Sequence, residues 1–259
     1  MKTPQQHTDG FRFWARTQFS AYRGSVAFIA TIDANGNQSI GSCFHVGDGV
    51  FVTARHVVED RRIEEIGFDD DAVSQELLGD MKYWGQQGHG RLNVIRGPLF
   101  HSDPQVDVAC LKIEPYPKTY IPLGGHLDDR LSQYELVLYR TLVLGYPRIS
   151  LAKRPTLVAS VGEVNALIEL YVGSRHPHFV ISTVARGGFS GAPVLVAYNE
   201  DNAEGGTAVL GLVTQSLTAD HKAPELGYLA VLTVEPIFDC LEEHKMLPAC
   251  QSLIHPTEG

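Results

Sequence analysis

The sequence predicts an all-β protein with one helix near each end. Short apolar runs rich in Val, Ile, Leu and Tyr recur along the 259 residues, and 25 Gly and 14 Pro punctuate them, which is the pattern of many short strands joined by turns. Apolar residues at helical spacing occur in two places only, close to the two termini. With 44% hydrophobic and 20% charged residues, the chain is long enough to bury a sizeable core.

Near the start, Phe11, Trp14, Ala15, Phe19 and Tyr22 fall on one side of a helix, with Thr8 or Asp9 as its cap, so residues 1–23 read as a helical extension covering an edge of the core. From Gly24 onward the runs SVAFIATI and QSIGSCFHV flank DANGN, which predicts a hairpin turning at Asn35 and Gly36. GVFVTARHVVED reads as a strand that breaks into a helical turn at its histidine. Residues 61–90 mix charges with the Gly-rich KYWGQQGHG and read as surface loops around weak strands. Strand signals resume in RLNVIRG and VDVACLKI. The Pro/Gly-rich start of Pro115–Leu131 marks a linker between a first β unit, residues 24–125, and a second, residues 131–234. The second unit holds ELVLYRTLVLGYP, TLVASVGEV, ALIELYV, HFVISTV, APVLVAYN, AVLGLVTQ and LGYLAVLTV. In the last stretch, 235–259, Ile237, Phe238 and Leu241 sit at helical spacing after Pro236 and predict a closing helix.

A formal net charge of -9 offers no electrostatic footprint for a phosphate backbone, so nucleic acid is not an expected partner. The first residues lack an apolar segment behind a basic one, and no run of about eighteen apolar residues occurs, so the expectation is a soluble, cytoplasmic protein without a membrane partner. Cys43, Cys110, Cys240 and Cys250 form no CxxC pair and are expected to be reduced thiols. His176 and His178 flank Pro177, but no Cys or carboxylate pattern accompanies them, and Asp69 to Asp71 lack the alternating spacing of a calcium loop. No metal and no cofactor are expected.

Three fragments carry chemistry: VTARHVVED, VDVACLKI and ARGGFSGAPV deliver His56, Asp107 and Ser190 in that order. A serine hydroxyl is a poor nucleophile at neutral pH unless a base takes its proton as it attacks. An imidazole can take that proton because its pKa lies near the working pH, and a buried carboxylate can fix its tautomer. Glycines on both sides of Ser190 open turn conformations in which amides converge, so that the Gly188 and Ser190 N–H groups could stabilise an oxyanion. Asp103 is a rival carboxylate, but DPQ reads as a solvated turn opener, whereas an apolar strand follows Asp107 directly.

Together these fragments resemble the chymotrypsin-like serine proteases, in style the bacterial high-temperature-requirement and related trypsin-like peptidases, through the signatures T-A-x-H, D-[IVL]-A-x-[LI] and G-x-S-G-x-P. The resemblance spans Gly24 to Leu241 and implies two perpendicular six-stranded antiparallel β-barrels with a cleft between them. It implies that His56 is general base, Asp107 its orienting carboxylate and Ser190 the nucleophile of an acyl-enzyme mechanism on a protein or peptide substrate. LGLVTQS resembles the strand that lines the substrate cleft, which gives Thr214, Gln215 and Ser216 binding roles and sets the Thr214 hydroxyl against the carboxylate. By the same register Val184 lies at the pocket base, Ser216 on a wall and Leu226 or Gly227 opposite, with Arg186 able to reach in. No buried acid stands at Val184, so small or medium apolar residues are expected before the cut bond.

Three departures from the family stand out. Arg55 and Ala192 touch no reacting atom. Phe189 stands where secreted trypsins carry an Asp that pairs with a newly cut N-terminus, so no activating cleavage is expected. Two further readings stay open: a module that binds peptides without cutting them, and an effector whose site forms only when an activating protein partner binds.

Overall fold

The computed structural model describes residues 4–69, 92–127, 131, 134–169, 176–184, 186–197, 206–218 and 225–252. Two antiparallel six-stranded sheets dominate it, as the apolar runs predict. The first contains β1 (Val26–Ile32), β2 (Gln38–Gly47), β3 (Val50–Thr53), β4 (Arg62–Gly67), β5 (Asn93–Phe100) and β6 (Ala109–Glu114), in the order β4-β1-β2-β3-β6-β5. The second contains β7 (Arg140–Gly145), β8 (Val158–Ile168), β9 (His178–Ser182), β10 (Pro193–Ala197), β11 (Thr207–Thr218) and β12 (Glu225–Thr233), and it closes into a barrel in the order β10-β11-β12-β9-β8-β7.

The first sheet is a half-barrel where a full barrel was expected. Its edge strands β4 and β5 share no ladder among the described residues, and a single bond from Leu92 N–H to the Ile66 carbonyl, 3.4 Å, crosses between them. The reason lies in β5, which carries two register shifts and Pro98, a residue that cannot donate to a ladder and so belongs on an edge. Within the sheet, Phe44, Phe51, Val52 and Leu111 are fully buried.

Several local expectations change in detail. The β1–β2 hairpin is where DANGN placed it, but its loop is longer than two residues because the Asp33 carboxylate accepts the Asn35 and Asn37 amides at 2.9 and 2.8 Å. Residues 62–67, read as loop with weak strand character, form β4 against β1, whereas KYWGQQGHG lies outside the described residues. TLVASVGEV and the start of ALIELYV form one strand, β8. Gly162 does not break that strand; a Cβ there would lie 2.7 Å from the Ser182 carbonyl of β9, so the glycine permits close strand approach. ELVLY is turn rather than strand, with pairing beginning at Arg140.

Helix α1 (Pro4–Tyr22) starts earlier than the sequence suggested, which puts Thr8 and Asp9 inside it and Pro4 in the first turn, where a missing N–H costs nothing. Trp14 is 2% exposed and donates its indole N–H to Thr207 Oγ1 at 3.3 Å, pinning α1 to the second barrel. Arg140 also stacks its guanidinium over Phe11. Helix α3 follows helix α2 (Arg55–Val58) in chain order, runs Glu235–Glu243 and buries Ile237, Phe238 and Leu241, as their spacing predicts. Among the described residues, no helix is long and apolar enough to cross a membrane.

A short fourth helix, α4 (Ala249–Ser252), has no counterpart in the sequence reading. Its Gln251 is fully buried, donates to the carbonyls of Val46 (2.6 Å) and Ile121 (3.0 Å), and accepts the Leu123 amide at 2.9 Å. The Leu123 carbonyl in turn accepts Val209 N–H of β11 at 3.2 Å, so the connecting stretch is tied to both sheets. All four cysteines are free. Burial pushes the Cys43 thiol far above its ordinary range, and Cys110 and Cys240 lie with their sulfurs 4.0 Å apart.

Candidate active site

His56 sits in α2, the single turn that follows β3 after the extended residue Ala54. Asp107 lies just before β6, and its carboxylate brackets the histidine: Oδ1 accepts the His56 backbone N–H at 2.9 Å and Oδ2 meets the ring Nδ1 at 2.8 Å. A carboxylate opposite Nδ1 puts the ring proton there, which leaves the Nε2 lone pair for an incoming proton. The His56 side chain is half exposed, so Nε2 chemistry has access to solvent and to a ligand.

Asp103, the rival acid, accepts the Gln105 amide at 2.9 Å and so caps its own turn, as the DPQ reading held. His178 is a neighbour of Asp107 that sequence reasoning missed. It is 4% exposed at the start of β9 and its Nδ1 faces the His176 carbonyl at 3.1 Å. Burial lowers its pKa, and the Asp107 charge acts in the opposite sense. The signal in the sequence was the HxH pattern, read there only for metal.

Ser190 occupies the turn between the second barrel's β9 and β10, flanked by Gly188 at φ 104° and Gly191 at φ 82°. Both glycines are obligatory. A Cβ on Gly188 would collide with the Tyr146 carbonyl and lie 2.9 Å from Arg148 N, and one on Gly191 would collide with the Ser42 carbonyl and Thr53 Oγ1. The contact of Gly191 with Thr53 and Ala54 brings the Ser190 turn against the segment that leads into His56. Phe189 is fully buried beneath this turn.

The amides of the turn can be accounted for one by one. Phe189 N–H donates to the Arg186 carbonyl (3.4 Å), Gly191 N–H to Val213 (2.7 Å) and Ala192 N–H to Phe189 (2.8 Å). Among the described residues, the Gly188 and Ser190 amides have no protein acceptor. The Ser190 hydroxyl donates to the Thr214 carbonyl at 3.4 Å rather than to His56 Nε2.

The remaining predicted positions are less gathered. Thr214 does not set its hydroxyl against Asp107. A register shift between Val213 and Gln215 turns its side chain toward β12, where it donates to the Ala230 carbonyl at 3.2 Å. Gln215 is exposed and Ser216 half-buried on the same strand. Val184 is 53% exposed, and Arg186 is exposed as well. Gly227, at φ 79°, leaves open space on its Cβ side, and its carbonyl accepts Thr183 N–H at 3.0 Å.

The fold also gathers His101, His176 and Asp239, whose ligand atoms lie within 4.8 Å of one another. The Nδ1 of His101 accepts Asp103 N–H at 3.0 Å, which puts its proton on Nε2, so each ring nitrogen is committed and neither offers a free lone pair to an ion.

Sequence reasoning also missed Ser42. Its backbone N–H donates to the Ser190 carbonyl (2.8 Å), its carbonyl accepts Thr53 Oγ1–H (2.7 Å), and its hydroxyl lies between Tyr146 N–H (2.9 Å) and the Gly188 carbonyl (2.8 Å). A serine inside the apolar run QSIGSCFHV carries no periodic signal that would single it out.

A sequence model described as a trypsin-like peptidase domain matches residues 41–200. Among solved structures, the chain is similar to the active form of the Rv3671c protease from M. tuberculosis, at TM-score 0.55 and 19% identity, over 86% of this chain and 82% of that one. Its similarity to the inactive form has TM-score 0.54 and 18% identity, covering 88% and 93%. The HtrA-type protease AlgW with tripeptide aligns at TM-score 0.60 and 17% identity, over 89% of this chain and 64% of that one. These likenesses show a shared fold. No curated protein sequence matches the chain.

Proposed function

The chain belongs to the trypsin-like peptidase domain family, and from that premise we propose that it is a serine endopeptidase acting through an acyl-enzyme on Ser190. The observation that carries this reading is the doubly bonded pair of Asp107 and His56, which fixes one tautomer and presents Nε2 as a base. In the proposed reaction, Ser190 Oγ bonds to the substrate carbonyl carbon while His56 Nε2 takes its proton. The negative charge on the carbonyl oxygen is received by the two amides without an acceptor, Gly188 and Ser190. His56 then protonates the leaving amine, and water repeats the sequence in reverse to free Ser190.

Protein or peptide substrates fit this chemistry, and no cofactor is required by it. The exposed Val184, with Ser216 and Gly227 on the neighbouring strands, supports a preference for small or medium apolar residues before the cut bond. The contact between the Ser190 hydroxyl and the Thr214 carbonyl supports a second reading, in which substrate or an activating protein partner must first turn that hydroxyl toward His56.

A fluorophosphonate probe distinguishes these readings. Labelling of wild type and loss of labelling in Ser190→Ala is the expected result. Equal labelling of both would remove Ser190 from the nucleophile role, and an unlabelled wild type would favour the partner-dependent state or peptide binding without cleavage.

A further inference from the structure

We propose that Ser42 is a positioning residue that fixes the Gly188–Phe189 peptide, and with it the relative placement of the Gly188 and Ser190 amides that face the oxyanion, before substrate arrives. The inference rests on the peptidase reading above and adds to it the device that preforms the site.

In a trans peptide the N–H points opposite to the C=O of the same unit. Whatever anchors the Gly187 carbonyl therefore aims the Gly188 N–H, and whatever anchors the Gly188 carbonyl aims the Phe189 N–H. Both carbonyls are anchored. Gly187 accepts Arg148 N–H at 2.8 Å, and Gly188 accepts the Ser42 hydroxyl at 2.8 Å. The hydroxyl has no choice of direction, because Tyr146 N–H donates to its oxygen at 2.9 Å and its one proton goes to Gly188.

The anchor matters because two adjacent glycines leave the backbone many alternatives. The Gly188 amide itself is aimed through Arg148, and the peptide that Ser42 holds lies between the Gly188 and Ser190 amides, so its rotation would change how the two donors converge on one oxygen. Ser42 is fully buried, so without its hydroxyl the Gly188 carbonyl has no water to replace the lost donor. The same residue reaches Ser190 through its own N–H and Thr53 through its carbonyl, so it joins the nucleophile's turn to the strand that leads to His56.

The test uses a peptide p-nitroanilide with Val before the cut bond and the peptide aldehyde of the same sequence, on wild type, Ser42→Ala and Ser42→Cys. The cysteine keeps the side-chain shape but offers only a weak donor, so it serves where the alanine variant fails to fold, as judged by urea unfolding. The expected result is a kcat lowered about 10- to 100-fold with KM within about 3-fold, and aldehyde affinity lowered by a similar factor, since removing a true oxyanion donor costs about 10²–10³. Wild-type kcat and aldehyde affinity in the folded variants would overturn the role of Ser42, as would a raised KM at unchanged kcat. A wild type that neither cleaves nor labels with a fluorophosphonate would instead overturn the reading of a peptidase competent without a partner, on which this inference rests.

Discussion

Lowering the pH from 7 to 5 is expected to destabilise the fold through His45, a residue given no part in the proposed chemistry. His45 is 1% exposed in β2, with Nδ1 facing the Thr119 carbonyl at 2.7 Å and Nε2 accepting Gly49 N–H at 3.0 Å. Those partners fit only a neutral ring protonated on Nδ1. A second proton on Nε2 would face the Gly49 N–H and would place a charge against Phe51 and Tyr116. Burial accordingly lowers its pKa from 6.5 to about 4. A histidine with a depressed folded pKa is protonated first in the unfolded chain. Its contribution is therefore complete above pH 6.5 and is lost as the pH falls toward 4. The full loss is about 3 kcal/mol, and between pH 7 and 5 it is about 2 kcal/mol. Urea titrations of wild type and His45→Gln at both pH values isolate this effect, because the other titrating groups are common to the two proteins. The gap between them should narrow by about 2 kcal/mol at pH 5. A gap that stays constant would refute the assignment of a buried neutral imidazole.

Two further outcomes follow from the site and from α1. A peptide-library profile should be dominated by small or medium apolar residues before the cut bond; dominance of Lys or Arg would remove Val184 from the pocket base, and dominance of acidic residues would point to Arg186. Protein beginning at Met1 should react with the fluorophosphonate without prior cleavage, and a form trimmed to Gly24 should be less stable by about 3–5 kcal/mol, the scale of losing one buried Trp, because Trp14 is 2% exposed. Reactivity confined to the trimmed form would refute this.

The positions with a strong local signature were the ones legible in the sequence. His56, Asp107 and Ser190 each sit in a short motif whose neighbours dictate the backbone: an extended residue before a turn, a polar residue opening a buried strand, glycines around a tight bend. The all-β class and the closing helix were legible for the same reason, since periodicity and Gly/Pro punctuation are local. What escaped was set by pairing at long range. Ser42 acquires its role from Gly188 and Tyr146, which lie 146 and 104 residues away. Thr214 faces β12 because of a register shift that no residue type announces. The first sheet stops short of closure at β5, where Pro98 was visible in the sequence but its edge position was not. His178 showed a pattern, HxH, whose meaning depends on what the fold packs beside it.

The Gln251 amide, which reaches β2 at Val46 and the connecting stretch at Ile121 and Leu123, acts as a brace against shear. His56 and Asp107 belong to the first sheet's side and Ser190 to the second's, so any sliding of the sheets past each other changes the separation between His56 and Ser190. With the connecting stretch fastened by Gln251 on one side and by Val209 on the other, sliding of the sheets would strain a chain of hydrogen bonds that runs from Val46 through Gln251 and Leu123 to Val209. The relative placement of the two sheets is thereby tied in part to a side chain near the far end of the sequence.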